Sequence, residues 1–143
     1  MKSKLKKLIK EITIFIVVLI ISTNLVSLYR SSNIKIDDGI CKDGSEVVYF
    51  FASWCPVCKV ESPNIDFISK YYKTKAIAVK SPDIKTYMYK NGFSFRYIDD
   101  KEATFAHRYN IMIFPTIITC KDKKVRYVDV GYTSIAGLLV RLF

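Results

Sequence analysis

"VVYFFASWCPVCKVESP" (residues 47–63) is the stretch from which this chain can be read. Val47–Phe51 is a continuous apolar run of β-branched and aromatic residues, which predicts a buried strand. Residues 56–72 then place Ile65, Ile68 and Tyr72 at helical spacing. Cys55 therefore falls at a strand-to-helix junction. Unpaired backbone N–H groups and the helix dipole stabilise a thiolate there. Pro56 suits the first turn, because its missing N–H is not needed. Cys58 lies one turn further on, within reach of Cys55 for a disulfide. One exposed, ionised thiol and one resolving thiol make a reversible couple. A C-x-x-C beside a β-α-β pattern is the spacing of a redox site.

Two other chemistries share that spacing. Zinc needs four ligands, so Cys41, Cys120 or the single histidine, His107, would have to converge on the pair. These residues are scattered along the chain. A purely structural Cys55–Cys58 bridge would close a loop too small to constrain the unfolded chain. Redox exchange is the favoured reading, with no metal and no cofactor expected.

Downstream, the alternation of strand and helix continues. A strand is expected over residues 76–79. A helix should open at Ser81-Pro82-Asp83, with serine as cap and proline first, and stop at Asn91-Gly92. A strand over 95–98 and a helix over 101–109 follow. Strands over 116–120 and 125–130 flank a "KDKK" turn, and a last helix covers 134–142. The order β-α-β-α-β-α-β-β-α argues an α/β sheet ending in an antiparallel hairpin. Pro115, directly before an apolar strand, fits either a cis bond or a trans proline at the first strand residue. His107 reads as a surface or packing residue, and Asp99-Asp100 as a turn. Tyr71, Tyr72, Tyr87, Tyr89, Phe93, Phe95 and Tyr97 read as core or edge packing.

The chain has 143 residues, half of them hydrophobic, which is enough for one domain with a real core. Its formal net charge is +10, and the first eleven residues hold five lysines against Glu11. The remaining positive charge is dispersed, as on a solvated surface, so no nucleic-acid partner is expected. "ITIFIVVLIISTNLVSL", residues 12–28, carries no charge over 17 residues. As a helix it spans roughly 26 Å, close to the ~30 Å hydrocarbon thickness. The expected organisation is a cytoplasmic basic tail (1–11), a single-pass transmembrane anchor (12–28), a linker (29–44) with an edge strand near 34–36, and an exported domain (45–143). A cleaved signal peptide fits less well, since the residues after Ile21 offer no A-x-A-like pair. Outside the cytoplasm, disulfides persist.

"FFASWCPVCKVESP", then "YNIMIFPTIIT" about fifty residues later, then "DVGYTS", resemble the thioredoxin superfamily. The chain looks most like its membrane-anchored extracytoplasmic branch (TlpA/DsbE-like), which includes cytochrome-c-maturation thioredoxins. "WCPVC" with "GYTSIAGLLVRLF" is similar to the suppressor of copper sensitivity protein D type of disulfide oxidoreductase. The resemblance covers about residues 47–143. It implies a thioredoxin-like α/β fold, a central mixed sheet flanked by helices, behind the N-terminal transmembrane helix. It implies Cys55 as attacking thiol, Cys58 as resolving thiol, and Trp54 packed beside them. Pro115 would be a cis proline facing the disulfide. With Trp54, Pro56, Phe114 and Thr116 it would border the place where an extended substrate segment binds. Glu61 matches an acid of this branch and would move protons or shift thiol pKa values. A solvated helix carboxylate is the alternative there. Pro63 matches the branch's helix-interrupting proline.

The chain also departs from the family. Thioredoxin has a buried acid where this chain has Tyr49. Too few residues precede the first core strand for the branch's N-terminal hairpin, so an open sheet edge is expected. In the implied fold the strands after Cys41 and before Cys120 are antiparallel neighbours, so a structural Cys41–Cys120 disulfide is possible. Two free thiols are the alternative. The implied partners are protein thiol/disulfide substrates, a membrane electron-donor protein (DsbD-like), and the bacterial inner membrane, with the catalytic domain periplasmic or otherwise extracytoplasmic. The rival function is a copper-binding chaperone using Cys55 and Cys58 as thiolate ligands.

Overall fold

The structure is a computed structural model and describes residues 2–32 and 36–143. Most of the edge strand expected at 34–36 therefore lies outside the described residues. A first helix, α1 (Lys2–Ser32), leads in, and a short 3-10 turn covers Asp38–Cys41. The remaining elements are β1 (Val47–Phe51), α2 (Pro56–Ser69), β2 (Thr74–Val79), α3 (Ile84–Asn91), β3 (Tyr97–Asp100), α4 (Thr104–Arg108), β4 (Thr116–Lys121), β5 (Lys124–Val130) and α5 (Ile135–Leu142). The expected anchor, residues 12–28, falls within α1, but the side chains at 19, 20, 23, 24 and 26–28 lie outside the description. Among the described residues no helix is long and apolar enough to cross a membrane.

The five strands form one mixed sheet in the order β3-β2-β1-β4-β5. The chain has a thioredoxin-like α/β fold. β1 is central, parallel to β2 and antiparallel to β4. It is buried on both faces, as its unbroken apolar run requires. Alternate residues of β1 feed two cores. Val47, Tyr49 and Phe51 pack with Ile65 and Ile68 of α2, Tyr87 and Met88 of α3, and Leu138 of α5. Val48 and Phe50 pack on the opposite face with Ile40, Cys41, Ala106 and Tyr109. β3 forms one edge, and no further strand lies beside it among the described residues.

Several local expectations shift. The first helix of the domain ends at Ser69 rather than residue 72. β3 begins two residues later than expected and takes in Asp99 and Asp100, which were read as a turn. The physical reason is the buried Asp100 carboxylate, whose Oδ2 accepts the Ala106 N–H at 3.1 Å and so supports α4. α3 starts at Ile84 with Asp83 as cap, and Ser81 does not cap it. Gly92 closes that helix in the left-handed region, at φ 67°. The "KDKK" hairpin turn places Asp122 and Lys123 at positive φ.

Candidate active site

The cysteine loop is held by the ends of β1 and β2. Ser81 Oγ donates to the Val79 carbonyl (3.1 Å) and accepts the Ser53 N–H (3.0 Å). Trp54 Nε1 donates to the Lys80 carbonyl at 3.0 Å, so the indole leans over the neighbouring strand end. Its ring meets Phe114 edge-on, with centroids 6.3 Å apart. Ser81 was expected as a helix cap. Its real partners are across the sheet, where parallel strands end together.

Cys55 is the N-cap of α2, with Pro56 at the first helical position. Its Sγ accepts the Cys58 N–H at 3.3 Å. A negative sulfur at this place faces the free amides of the first turn. The sulfur also lies 3.6 Å from the Phe114 carbonyl. It is 5 % exposed, not open as the sequence implied, because the Phe114–Pro115 backbone covers it. Cys58 is fully buried, and its thiol is hydrogen-bonded to Cys55. Burial, and then that bond, push the Cys58 thiol well above its ordinary pKa. Neither cysteine is in a disulfide.

Phe114–Pro115 is a cis peptide bond. Pro115 is buried, and its carbonyl accepts the Gly131 N–H at 2.8 Å. Thr116 Oγ1 donates to the Ile113 carbonyl at 2.7 Å, which closes the turn before β4.

Glu61 lies one helical turn beyond Cys58, and both side chains are fully buried. It is not a solvated carboxylate. Its Oε2 accepts the Thr133 N–H at 2.8 Å, and Oε1 has no hydrogen-bond partner. Burial dominates and raises its pKa from 4.5 to about 7. The Thr133 amide and Asn64 pull it down, and the Asp129 carboxylate pushes it up.

Position 49, where thioredoxin carries its acid, holds a hydroxyl network. Tyr49 Oη lies 3.2 Å from the Cys58 carbonyl and 3.0 Å from Ser62 Oγ, and Tyr87 Oη donates to Ser62 Oγ at 3.1 Å. Sequence reading placed Tyr87 as packing only. The one signal for its second role was a helical spacing that turns Tyr87 toward the core. Asp129 and Arg141 were also missed. Arg141 is the single charge of an otherwise apolar helix, and a charge at such a position is unexpected unless it has a buried partner.

Cys41 and Cys120 form a disulfide across 79 residues, with Cα atoms 5.8 Å apart. It lies in the core on the opposite sheet face from Cys55 and Cys58. The bond joins the 3-10 turn to β4. Cys120 is brought into range because its N–H reaches the Glu46 carbonyl at 2.8 Å, just before β1. His107 sits on the exposed side of α4, away from both pairs.

A sequence profile of the redoxin family matches residues 10–137. The chain belongs to the redoxin family. It is 36% identical over 101 residues to a thioredoxin-like protein of Haemophilus influenzae, covering 68% of this chain and 60% of that protein. The chain thus spans less than two thirds of that relative's length. Among solved structures it is similar to a secreted Mycobacterium tuberculosis disulfide oxidoreductase homologous to E. coli DsbE, at TM-score 0.61 and 20% identity, covering 67% of this chain and 78% of the other. It is also similar to a DsbF homologue from Corynebacterium diphtheriae, at TM-score 0.63 and 19% identity, covering 71% and 74%. These two likenesses concern the fold.

Proposed function

We propose that this protein is a thiol-disulfide oxidoreductase acting on extracytoplasmic proteins through the Cys55-Pro-Val-Cys58 couple. The observation that carries the reading is the pair itself: Cys55 Sγ caps α2 and is hydrogen-bonded to a buried second thiol one turn on. Membership of the redoxin family supports it.

The reaction runs in two exchanges. Cys55 Sγ, as thiolate, attacks one sulfur of a substrate disulfide. The substrate S–S bond breaks, one substrate thiolate leaves, and a mixed disulfide remains on Cys55. Cys58 then yields its proton to the Glu61 carboxylate, and its sulfur attacks Cys55 Sγ. The mixed bond breaks, the second substrate thiolate departs, and the Cys55–Cys58 bond forms. Two electrons pass from the protein to its substrate. A substrate segment in extended form lies along Phe114 and Pro115, with Trp54, Pro56 and Thr116 bordering it. Reduction or isomerisation is the direction we assign, with a DsbD-like membrane electron-donor protein returning the two electrons. The suppressor of copper sensitivity protein D type is the subgroup that this reading favours.

Residues 12–28 serve in this reading as a single-pass anchor that leaves residues 45–143 outside the cytoplasm. The support is an uncharged stretch of 17 residues behind five lysines. Ile12, Ile14, Phe15, Ile16 and Val17 of α1 present apolar side chains that water does not favour. The buried Cys41–Cys120 disulfide also suits an oxidising compartment.

The test is insulin reduction by the full chain in mild detergent, alongside trapping with Cys58→Ser. Wild type should reduce insulin, and the variant should accumulate a mixed disulfide on Cys55 that dithiothreitol releases. Failure of both, together with tight one-to-one Cu(I) binding, would replace this function by metal carriage.

A further inference from the structure

Glu61 is held by a part of the chain far from it in sequence. The Thr133 amide that bonds its carboxylate lies in the loop between β5 and α5. Behind that loop is a buried ion pair, with Arg141 Nε 2.9 Å from Asp129 Oδ2. Their side chains are 6% and 0% exposed. Arg141 lies back along α5, and its Nη1 donates to the Gly137 carbonyl at 2.8 Å. Gly137 leaves the space for it. A Cβ there would come within 2.9 Å of Arg141 Nη1 and 3.3 Å of Thr133 Cγ2. Asp129, Thr133, Gly137 and Arg141 thus form one buried contact chain that ends on Glu61. Asn64 of α2 also donates to Thr133, at its carbonyl (3.2 Å).

We propose that the Arg141–Asp129 pair, seated in the notch left by Gly137, is a positioning device for Glu61: it fixes the Thr133 amide on the carboxylate and sets the electric field in which Glu61 takes the proton of Cys58. The inference rests on the oxidoreductase reading above. Among the described residues, the polar or titratable groups that act on Glu61 are Asn64 from α2, Tyr49 from β1, Asp129 from β5 and the Thr133 amide, and Cys58 lies one turn before it on α2. The Asp129 carboxylate disfavours a charged Glu61. Arg141 offsets that charge. A buried ion pair gives little net stability for its desolvation cost. One that instead tunes a neighbouring proton acceptor has a reason to be buried there.

The experiment uses the reduced full chain in mild detergent with one equivalent of Ellman's reagent. Cys55 attack releases the first thionitrobenzoate and leaves a mixed disulfide. Cys58 closure then releases the second, so one reagent and two thiols give one disulfide, two thionitrobenzoate ions and two protons. Absence of a first or second phase counts against the oxidoreductase reading itself. The pH profile of the second phase tests the inference. Glu61→Gln should lose the acid limb of that profile. Arg141→Met should move the limb by about one pH unit to the alkaline side, because Asp129 is left uncompensated. Asp129→Asn should move it to the acid side. A merely structural pair would slow both variants at every pH without opposite shifts, and that result overturns the proposal. So does a limb that survives Glu61→Gln. Should either charge variant fail to fold, Gly137→Ala decides: it keeps every charge, pushes Arg141 off its seat, and should move the limb to the alkaline side. An unmoved limb in that variant overturns the proposal.

Discussion

Glu61→Gln should make this protein more stable at neutral pH while slowing its chemistry. The folded protein ionises Glu61 only near pH 7, against an ordinary value of 4.5, because the carboxyl is buried. The sign follows from which state holds the proton. Below the ordinary value both folded and unfolded chains are protonated, and the group costs nothing. Between that value and the folded one, the unfolded chain releases its proton first, so stability falls as pH rises. Above pH 7 the loss is complete, at about 3 kcal/mol, taking 1.36 kcal/mol for each pH unit of the gap. Glutamine has the same shape, still accepts the Thr133 N–H, and cannot ionise. The assay is urea unfolding of wild type and variant in mild detergent at about pH 4 and pH 8, followed by near-ultraviolet circular dichroism of the packed tyrosines. At pH 4 the two midpoints should agree. At pH 8 the variant's midpoint should lie higher by about 1–3 M urea, given a slope of roughly 1–3 kcal/mol per molar. An equal difference at both pH values, or a variant less stable at pH 8, would refute the reasoning, since either means that ionisation of Glu61 costs the fold nothing. The prediction also states a trade: a buried carboxyl is kept at the expense of stability.

Other expected outcomes come from the same geometry. Replacing Cys41 and Cys120 by alanine together should cost about 4 kcal/mol of stability, because the bond closes a 79-residue loop, and should leave the thiol exchange rate of Cys55 unchanged. Urea midpoints and Ellman kinetics of the same variant check both halves. Tyr49→Phe keeps the ring stacked on Phe51 but removes the hydroxyl from the Cys58 carbonyl and Ser62, so a loss of about 1 kcal/mol is expected in thermal unfolding. Ser81→Ala leaves the Ser53 N–H without its acceptor and should cost about 1–2 kcal/mol. It should also raise hydrogen exchange at Ser53, which NMR can read residue by residue. Arg141→Ala strands the buried Asp129 carboxylate and should destabilise by about 3–5 kcal/mol, a far larger loss than any exposed arginine would show.

Much of this protein is legible along the chain. Val47–Phe51 reads as a buried strand, and the fold places it at the centre of the sheet. The cysteines that follow fall at a strand-to-helix junction, where Pro56 suits the first turn. The alternation of strand and helix through residue 142 implied the sheet and its closing hairpin. These are signals of local pattern and composition, and sequence carries them directly. Element boundaries were less secure at Tyr97–Asp100 and at Ser81. There a side chain's partner lies across the fold, and tertiary hydrogen bonds outweigh local propensity.

Sequence by itself determined that a redox-spaced pair of thiols caps a helix at the end of an apolar strand. Only the tertiary structure decided which polar groups surround that pair and Glu61. Tyr49, Ser62 and Tyr87 come from β1, α2 and α3, and Asp129, Thr133 and Arg141 come from the last fifteen residues of the chain. Apart from Ser62, which shares α2 with both, no spacing links them to Cys58 or Glu61. The reason is that a charge or hydroxyl acts through distance and burial, and both exist only once the sheet has brought its two ends together.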